Sequence, residues 1–193
     1  VRDWLRRALV KGDAPNAQVA LQGNLAEFPF AANHKGVFTV AAQVHGGTLD
    51  YANGWPQVDG IDAQVKIDRT HVRVEGSRGS VLDTTLGRTI ADIPDIGQPV
   101  LTVEGTATGS APAFLRFVRQ SPVSGWTGGS TDAVQASGNG TLGYRITLPL
   151  HHIEALGLTG SFALDGGAVT WPGVPPMSGV AGKFGFDEKG VVD

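Results

Sequence analysis

The chain has 193 residues, 41% hydrophobic and 17% charged, with a formal charge of −3 and a pI of about 5.9. That balance excludes the clustered Lys and Arg of a nucleic-acid binder, and the length suffices to bury a core. Cysteine is absent, which excludes disulfide staples, thiol catalysis and thiolate metal sites.

Twenty-eight Gly and 11 Pro without a collagen period mark many turns between short strands. No apolar run approaches the ~18 residues that span a bilayer, and no signal peptide is visible. The first residues read as helix and the last as strand, as expected of a piece of something longer.

Trp4, Leu5, Ala8 and Leu9 fall at helical spacing around Arg6 and Arg7, with Asp3 placed to cap the first turn. The pattern predicts a short amphipathic helix ending near Gly12. A strand is expected over 17–25, apolar at Val19 and Leu21, followed by a loop at Phe28, Pro29 and Phe30.

Residues 37–45 read as a strand with Phe38, Val40, Ala42 and Val44 on one side and Thr39, Gln43 and His45 on the other. Beyond it Ala63, Val65 and Ile67 oppose Gln64, Lys66 and Asp68. After a turn at Asp68, Arg69 and Thr70, Val72 and Val74 oppose His71, Arg73 and Glu75. Such period-two patterning implies a sheet wetted on one face, and it fixes register, because a one-residue slip would drive Lys66 and Arg73 inward.

Weaker strands are expected over 80–86 and 88–93, then one in which Leu101 and Val103 alternate with Thr102 and Glu104. Pro112 stands where a helix would begin. Phe114, Leu115, Phe117 and Val118 give that helix an apolar face against Arg116, Arg119 and Gln120, and Pro122 stops it. Residues 124–140, rich in Gly, Ser and Thr, read as a loop leading to a modest strand. Leu142, Tyr144, Ile146 and Leu148 then alternate with Gly143, Arg145 and Thr147, and a further strand is expected over 158–165.

One stretch is written twice. Residues 47–68, GTLDYANGWPQVDGIDAQVKID, are echoed by 167–187, GAVTWPGVPPMSGVAGKFGFD. Gly47 matches Gly167, Tyr51 Trp171, Val58 Met177, Gly60 Gly179, Ile67 Phe186 and Asp68 Asp187, at an offset of 120 that falls to 119. Phe114-Leu115-Arg116 also matches Trp4-Leu5-Arg6 at an offset of 110. Stacked blocks sharing one core are the physical meaning of such repetition. It predicts a first unit over 1–110 and a second, truncated unit over 111–193, in one continuous domain of mainly antiparallel β structure with two short amphipathic helices.

No catalytic constellation emerges. Gly138-Asn139-Gly140-Thr141-Leu142-Gly143 matches the dinucleotide pattern GxGxxG, but a period-two strand follows where a helix is required. Adjacent His151 and His152 cannot close a metal site, and His34, His45 and His71 are scattered on polar faces. Asp59, Asp62 and Asp68, or Asp92 with Asp95, could be read as acid–base carboxylates, yet Asp62 and Asp68 lie on the polar face of a regular strand. The sequon Asn139-Gly140-Thr141 matters only in a eukaryotic secretory setting. No cofactor is expected.

The order WLRRALVKG, LQGNL, FPF, GVFTVAAQV and GTLDYANGWPQVDGIDAQVKID, then FLRFVRQSPVSGW and WPGVPPMSGVAGKFGFDEKGV, resembles the YhdP family of bacterial AsmA-like proteins. The resemblance implies a curved, twisted, taco-like sheet with an apolar interior, in a long periplasmic protein anchored in the inner membrane by a helix outside this sequence. It further implies a non-catalytic role: conduction of phospholipid between inner and outer membrane in support of outer-membrane integrity. The expected partners are acyl chains and adjacent repeat units. Phe38, Val40, Val44, Val65, Ile67, Val72, Val74, Leu101 and Val103 are the expected lipid-contact residues. The alternatives are a scaffold module in outer-membrane assembly, or a carbohydrate-binding β domain in which Tyr51, Trp55, Trp126 and Trp171 are stacking platforms.

Overall fold

The structure is a computed structural model describing residues 8–30, 35–126, 129, 131–152, 155–187 and 190–192. Its strands are β1 (Leu9–Asp13), β2 (Gln18–Gln22), β3 (Val37–Leu49), β4 (Val58–Asp68), β5 (His71–Val81), β6 (Thr84–Ile93), β7 (Val100–Ser110), β8 (Gln135–Ala136), β9 (Asn139–Pro149), β10 (Gly157–Trp171), β11 (Val174–Asp187) and β12 (Gly190–Val192). Between β7 and β8 lie α1 (Ala111–Arg119) and α2 (Val123–Trp126).

All twelve strands join one open antiparallel sheet in the order β1-β3-β4-β5-β6-β7-β9-β10-β11-β12, with β2 also on β3 and β8 also on β10. The fold is mainly β, as the alternation implied, and β7 pairs with β9 from Val100↔Pro149 to Ser110↔Asn139 without a break.

Register explains the sidedness. Val40 faces Ile67, Ile67 faces Val72 and Val72 faces Ile93. One row along, Ala42, Val65, Val74, Ala91, Val103, Ile146 and Leu158 face one another in turn. Directly paired residues share a face, so each row is a stripe of apolar side chains running across the strands. The other face carries Lys66, Arg73, Asp92 and Thr102 in the same succession.

Bulges interrupt the ladders at one level: between Val44 and Leu49 on β3, Asp59 and Ala63 on β4, and Leu164 and Trp171 on β10. An extra residue bends its strand and sharpens the local twist. The left-handed backbone needed there falls on Gly46 (φ 59°), Gly60 (φ 61°), Gly166 (φ 62°) and Gly179 (φ 66°).

Helix α1 begins as its sequence dictates. The Ser110 hydroxyl accepts the Ala113 amide at 3.3 Å, Pro112 fits the first turn, and Ala111 and Ala113 are buried. The helix ends at Arg119, ahead of Pro122.

Several expectations are corrected. Leu9 to Gly12 belong to a strand rather than to the end of a helix, because Leu9 pairs with Leu49 on β3; Trp4 and Leu5 lie outside the described residues. The strand expected over 17–25 is Gln18–Gln22, and Leu25 opens a 3-10 turn capped by Asn24. Residues 80–86 are not one strand but straddle a hairpin whose turn is Leu82 and Asp83. Leu82 takes φ 50°, and buried Thr84 donates its hydroxyl to the Val81 carbonyl at 2.7 Å. At the start of the stretch read as a loop leading to a modest strand, a short helix, α2, is formed, and β8 is a strand of two residues within it. The matched Gly60 and Gly179 both sit inside strands, β4 and β11.

Candidate functional site: an open apolar face

The nine residues expected to contact lipid all lie on one face. Phe38 pairs with Leu21, and one row further on Val40, Ile67 and Val72 share a row that ends at Val19 on β2. Val65, Val74 and Val103 share the next, Val44 stands one step further toward the bulge, and Leu101 faces Leu148. All nine are half-buried. Every described strand belongs to this sheet, so no second sheet covers the face among the described residues. Among them, Phe30 alone is both large and fully buried. A β-sandwich of this size would instead bury a row of Val, Ile and Leu from both sheets.

Several residues of the same face escaped selection from sequence: Ile93, Ile146, Leu148, Leu158 and Phe186. The alternation over 142–148 carried the signal of Ile146 and Leu148. Placing them beside Val103 required the β7–β9 register, which no local pattern supplies.

Toward the bulged end, the face is closed. Phe114 of α1 meets Phe162 of β10 edge-on, ring centres 5.1 Å apart, and Phe162 meets Phe184 at 5.6 Å. Trp55, in the β3–β4 loop, lies 6.0 Å from Tyr51, 6.1 Å from Phe117 and 5.9 Å from Trp126. Val81, Ala107, Ala111, Ala113 and Val134 are the small residues buried near these helices. Tyr51, Trp55 and Trp126 thus pack on one another, with Trp126 still exposed at its outer side, and Trp171 is exposed without a ring partner among the described residues.

This cluster also reports curvature. Tyr144 of β9 reaches across Gly105 to place its hydroxyl 3.1 Å from that of Thr89. Burial pushes the Tyr51 phenol up to about 12, with the neighbouring Tyr144 and Asp50 adding to the rise. Burial likewise raises Tyr144, against a lowering by its bond to Thr89. In a flat sheet β4 and β10 would stand five strand spacings apart, about 24 Å. Yet Phe117 of α1 meets Trp55 of the β3–β4 loop while Phe114, one turn away, meets Phe162 of β10, which places the apolar face on the inside of a bend.

The opposite face is an ion-pair lattice. Arg73 bonds Glu75 at 2.9 Å and Asp92 at 3.3 Å, Arg88 reaches Glu75 at 3.3 Å, and His71 sits 2.8 Å from Asp92. Arg145 pairs with Glu104. The Arg73 and Arg88 guanidiniums hold the Glu75 carboxyl below its ordinary range. Asp62 accepts the Gly46 amide at 3.2 Å and pairs with Arg78 at 3.2 Å, so it braces a bulge. Asp59 accepts the Thr48 hydroxyl at 3.0 Å, and Asp95 the Gly97 amide at 2.8 Å. These carboxylates are occupied by structure, and exposed pairs of this kind are worth little individually.

His151 and His152 are exposed, and His34 lies outside the described residues. Among the described residues no group of three or more His, Cys, Asp or Glu could hold a metal, and no helix is long and apolar enough to cross a membrane. Gly140 lies within strand β9, which leaves the GxGxxG match without its helix.

Comparison with known proteins agrees with the geometry. The chain is 23% identical over 188 residues to the intermembrane phospholipid transporter YhdP of Escherichia coli (strain K12), an alignment covering 95% of this chain and 14% of that protein. The chain thus spans about one-seventh of the length of the curated relative it matches. No solved structure matched. The family described as YhdP protein matches over residues 1–193, and with its open, one-sided sheet the chain belongs to that family.

Proposed function

We propose that this chain is a non-catalytic segment of a phospholipid conduit, with acyl chains lying on the inner face of the bent sheet. The observation that carries the proposal is the unbroken apolar row from Ala42 on β3 to Leu158 on β10, half-buried and uncovered by a second layer among the described residues. Its relative's description as an intermembrane phospholipid transporter supports the same reading.

The energetics favour it. Exposing a sixteen-carbon chain to water costs on the order of 10 kcal/mol, at ~0.8 kcal/mol per methylene. A surface of Val, Ile, Leu and Phe replaces most of that lost contact, so movement along it is nearly level. Such a surface needs continuity rather than any specific residue. From β3 to β11 it crosses seven strand spacings, about 34 Å, close to the ~30 Å hydrocarbon thickness of a bilayer.

The segment acts in the periplasm as part of an inner-membrane-anchored chain, its units over 1–110 and 111–193 stacking with further units, and its activity supports outer-membrane integrity. The ion-paired outer face keeps the bridge in water.

The test is organic extraction of the purified protein followed by mass spectrometry. Phospholipid is expected with the native chain. It should fall sharply in Val65→Asp, with far-UV circular dichroism unchanged. Absence of phospholipid from the native chain, or lipid retained in the folded variant, contradicts the proposal.

A further inference from the structure

The two hairpins that echo each other are built alike but covered differently. Gly54 and Gly173 have φ of 79° and 80°, and Gly60 and Gly179 of 61° and 66°. Leu49↔Val58 and Gly47↔Ile61 in the first correspond to Val169↔Met177 and Gly167↔Val180 in the second. This register sets Tyr51 against Trp171, Trp55 against Val174, Val58 against Met177 and Val65 against Phe184.

The first member of each pair is half-buried. The second members are exposed: Trp171 at 46%, Val174 at 46%, Met177 at 47% and Phe184 at 45%. The loop of the first hairpin is covered by α1 and α2, through Phe117 and Trp126 against Trp55, with Pro122 beside Gly54. Arg116 fastens the helix to Asp83 in the β5–β6 turn. Among the described residues α1 touches the second hairpin at Phe162, through Phe114, while Trp171 makes no ring contact. Trp171 pairs with Val174 and Val169 with Met177, while Phe184 stands further along β11 against Phe162; large apolar side chains left exposed in this way mark a binding face.

We propose that the β10–β11 hairpin, through Trp171, Val174, Met177 and Phe184, seats an amphipathic helix of the same chemistry as α1. Its apolar stripe carries aromatic side chains on the pattern of Phe114, Leu115, Phe117 and Val118, and its opposite side carries Arg. The first hairpin shows how the seat works: Trp55 of the loop packs against Phe117 of α1 and Trp126 of α2. The YhdP relative, of which this chain spans 14%, has ample sequence for a helix of this kind in the same polypeptide. The inference does not depend on lipid occupying the remainder of the face.

The test is hydrogen–deuterium exchange of the full 193-residue chain with a synthetic peptide of residues 110–126 as the helix probe. Amides over 171–184 should gain protection on peptide addition and not with a scrambled peptide. Met177→Asp should abolish that gain. Val174→Asp at the turn should do the same and serves where Met177→Asp does not fold. Four outcomes overturn the proposal: no protection; protection that both aspartate variants retain; protection that grows with protein concentration alone, which marks a second copy as the occupant; and Trp171 emission quenched by vesicles of brominated phosphatidylcholine but unaffected by peptide, which marks lipid.

Discussion

Gly46 and Gly166, 120 residues apart, take the same left-handed backbone, φ 59° and 62°, at the same bulge of β3 and β10. Nothing lies within 4 Å of a Cβ added at either, so only conformation demands glycine there. Holding an L residue in that region costs roughly 1–2 kcal/mol. Gly46→Ala and Gly166→Ala should each lower the stability measured by urea unfolding by about that amount. Gly182→Ala is the control: its surroundings are as empty, without a positive φ, and it should be neutral or slightly stabilising.

Gly160 is demanded by packing instead. A Cβ there would stand 2.7 Å from the Gly143 carbonyl and 2.9 Å from Cε1 of Phe186, whose ring lies across the glycine. Gly160→Ala should cost about 1–3 kcal/mol, as overpacking does. Adding Phe186→Ala should recover only part of the loss, because the carbonyl clash persists. Full recovery would show that the ring alone sets the constraint.

The chain has two tyrosines, Tyr51 and Tyr144, both with raised phenols. Above pH ~10 an unfolded chain releases these protons while the folded one keeps them. Fewer protons bound in the unfolded state means that stability falls as pH rises, from about 10 toward the folded value of about 12 for Tyr51. Phenolate absorbance at alkaline pH should therefore appear together with unfolding, and Tyr51→Phe should flatten the alkaline loss of stability. Ordinary titration near pH ~10 in the folded protein would contradict the burial of the cluster.

Much of the face was legible in the sequence because its signal is local. Val65, Ile67, Val72 and Val74 alternate cleanly with Lys66 and Arg73, and side-chain direction follows from a period of two. Pro112 and the Phe114–Phe117 spacing likewise marked α1. What local pattern could not show was the turn at Leu82 and Asp83, where neither Gly nor Pro stands and a leucine takes the positive φ. Nor could it show that β3 runs on to Leu49, since the bulge at Gly46 and Gly47 breaks the alternation that would have announced it. The packing of Trp55 on Phe117 and Trp126 depends on the bend of the whole sheet. Composition carries no trace of that bend.

Photocrosslinking at adjacent positions tests the central claim most directly. Val65 and Lys66 are neighbours on β4 that point to opposite faces, one half-buried on the inner side and the other exposed. A photoreactive amino acid at Val65 should form adducts with phospholipid in cells, and one at Lys66 should form few or none. Equal labelling at both positions, or labelling confined to Lys66, would contradict a lipid path along the inner face.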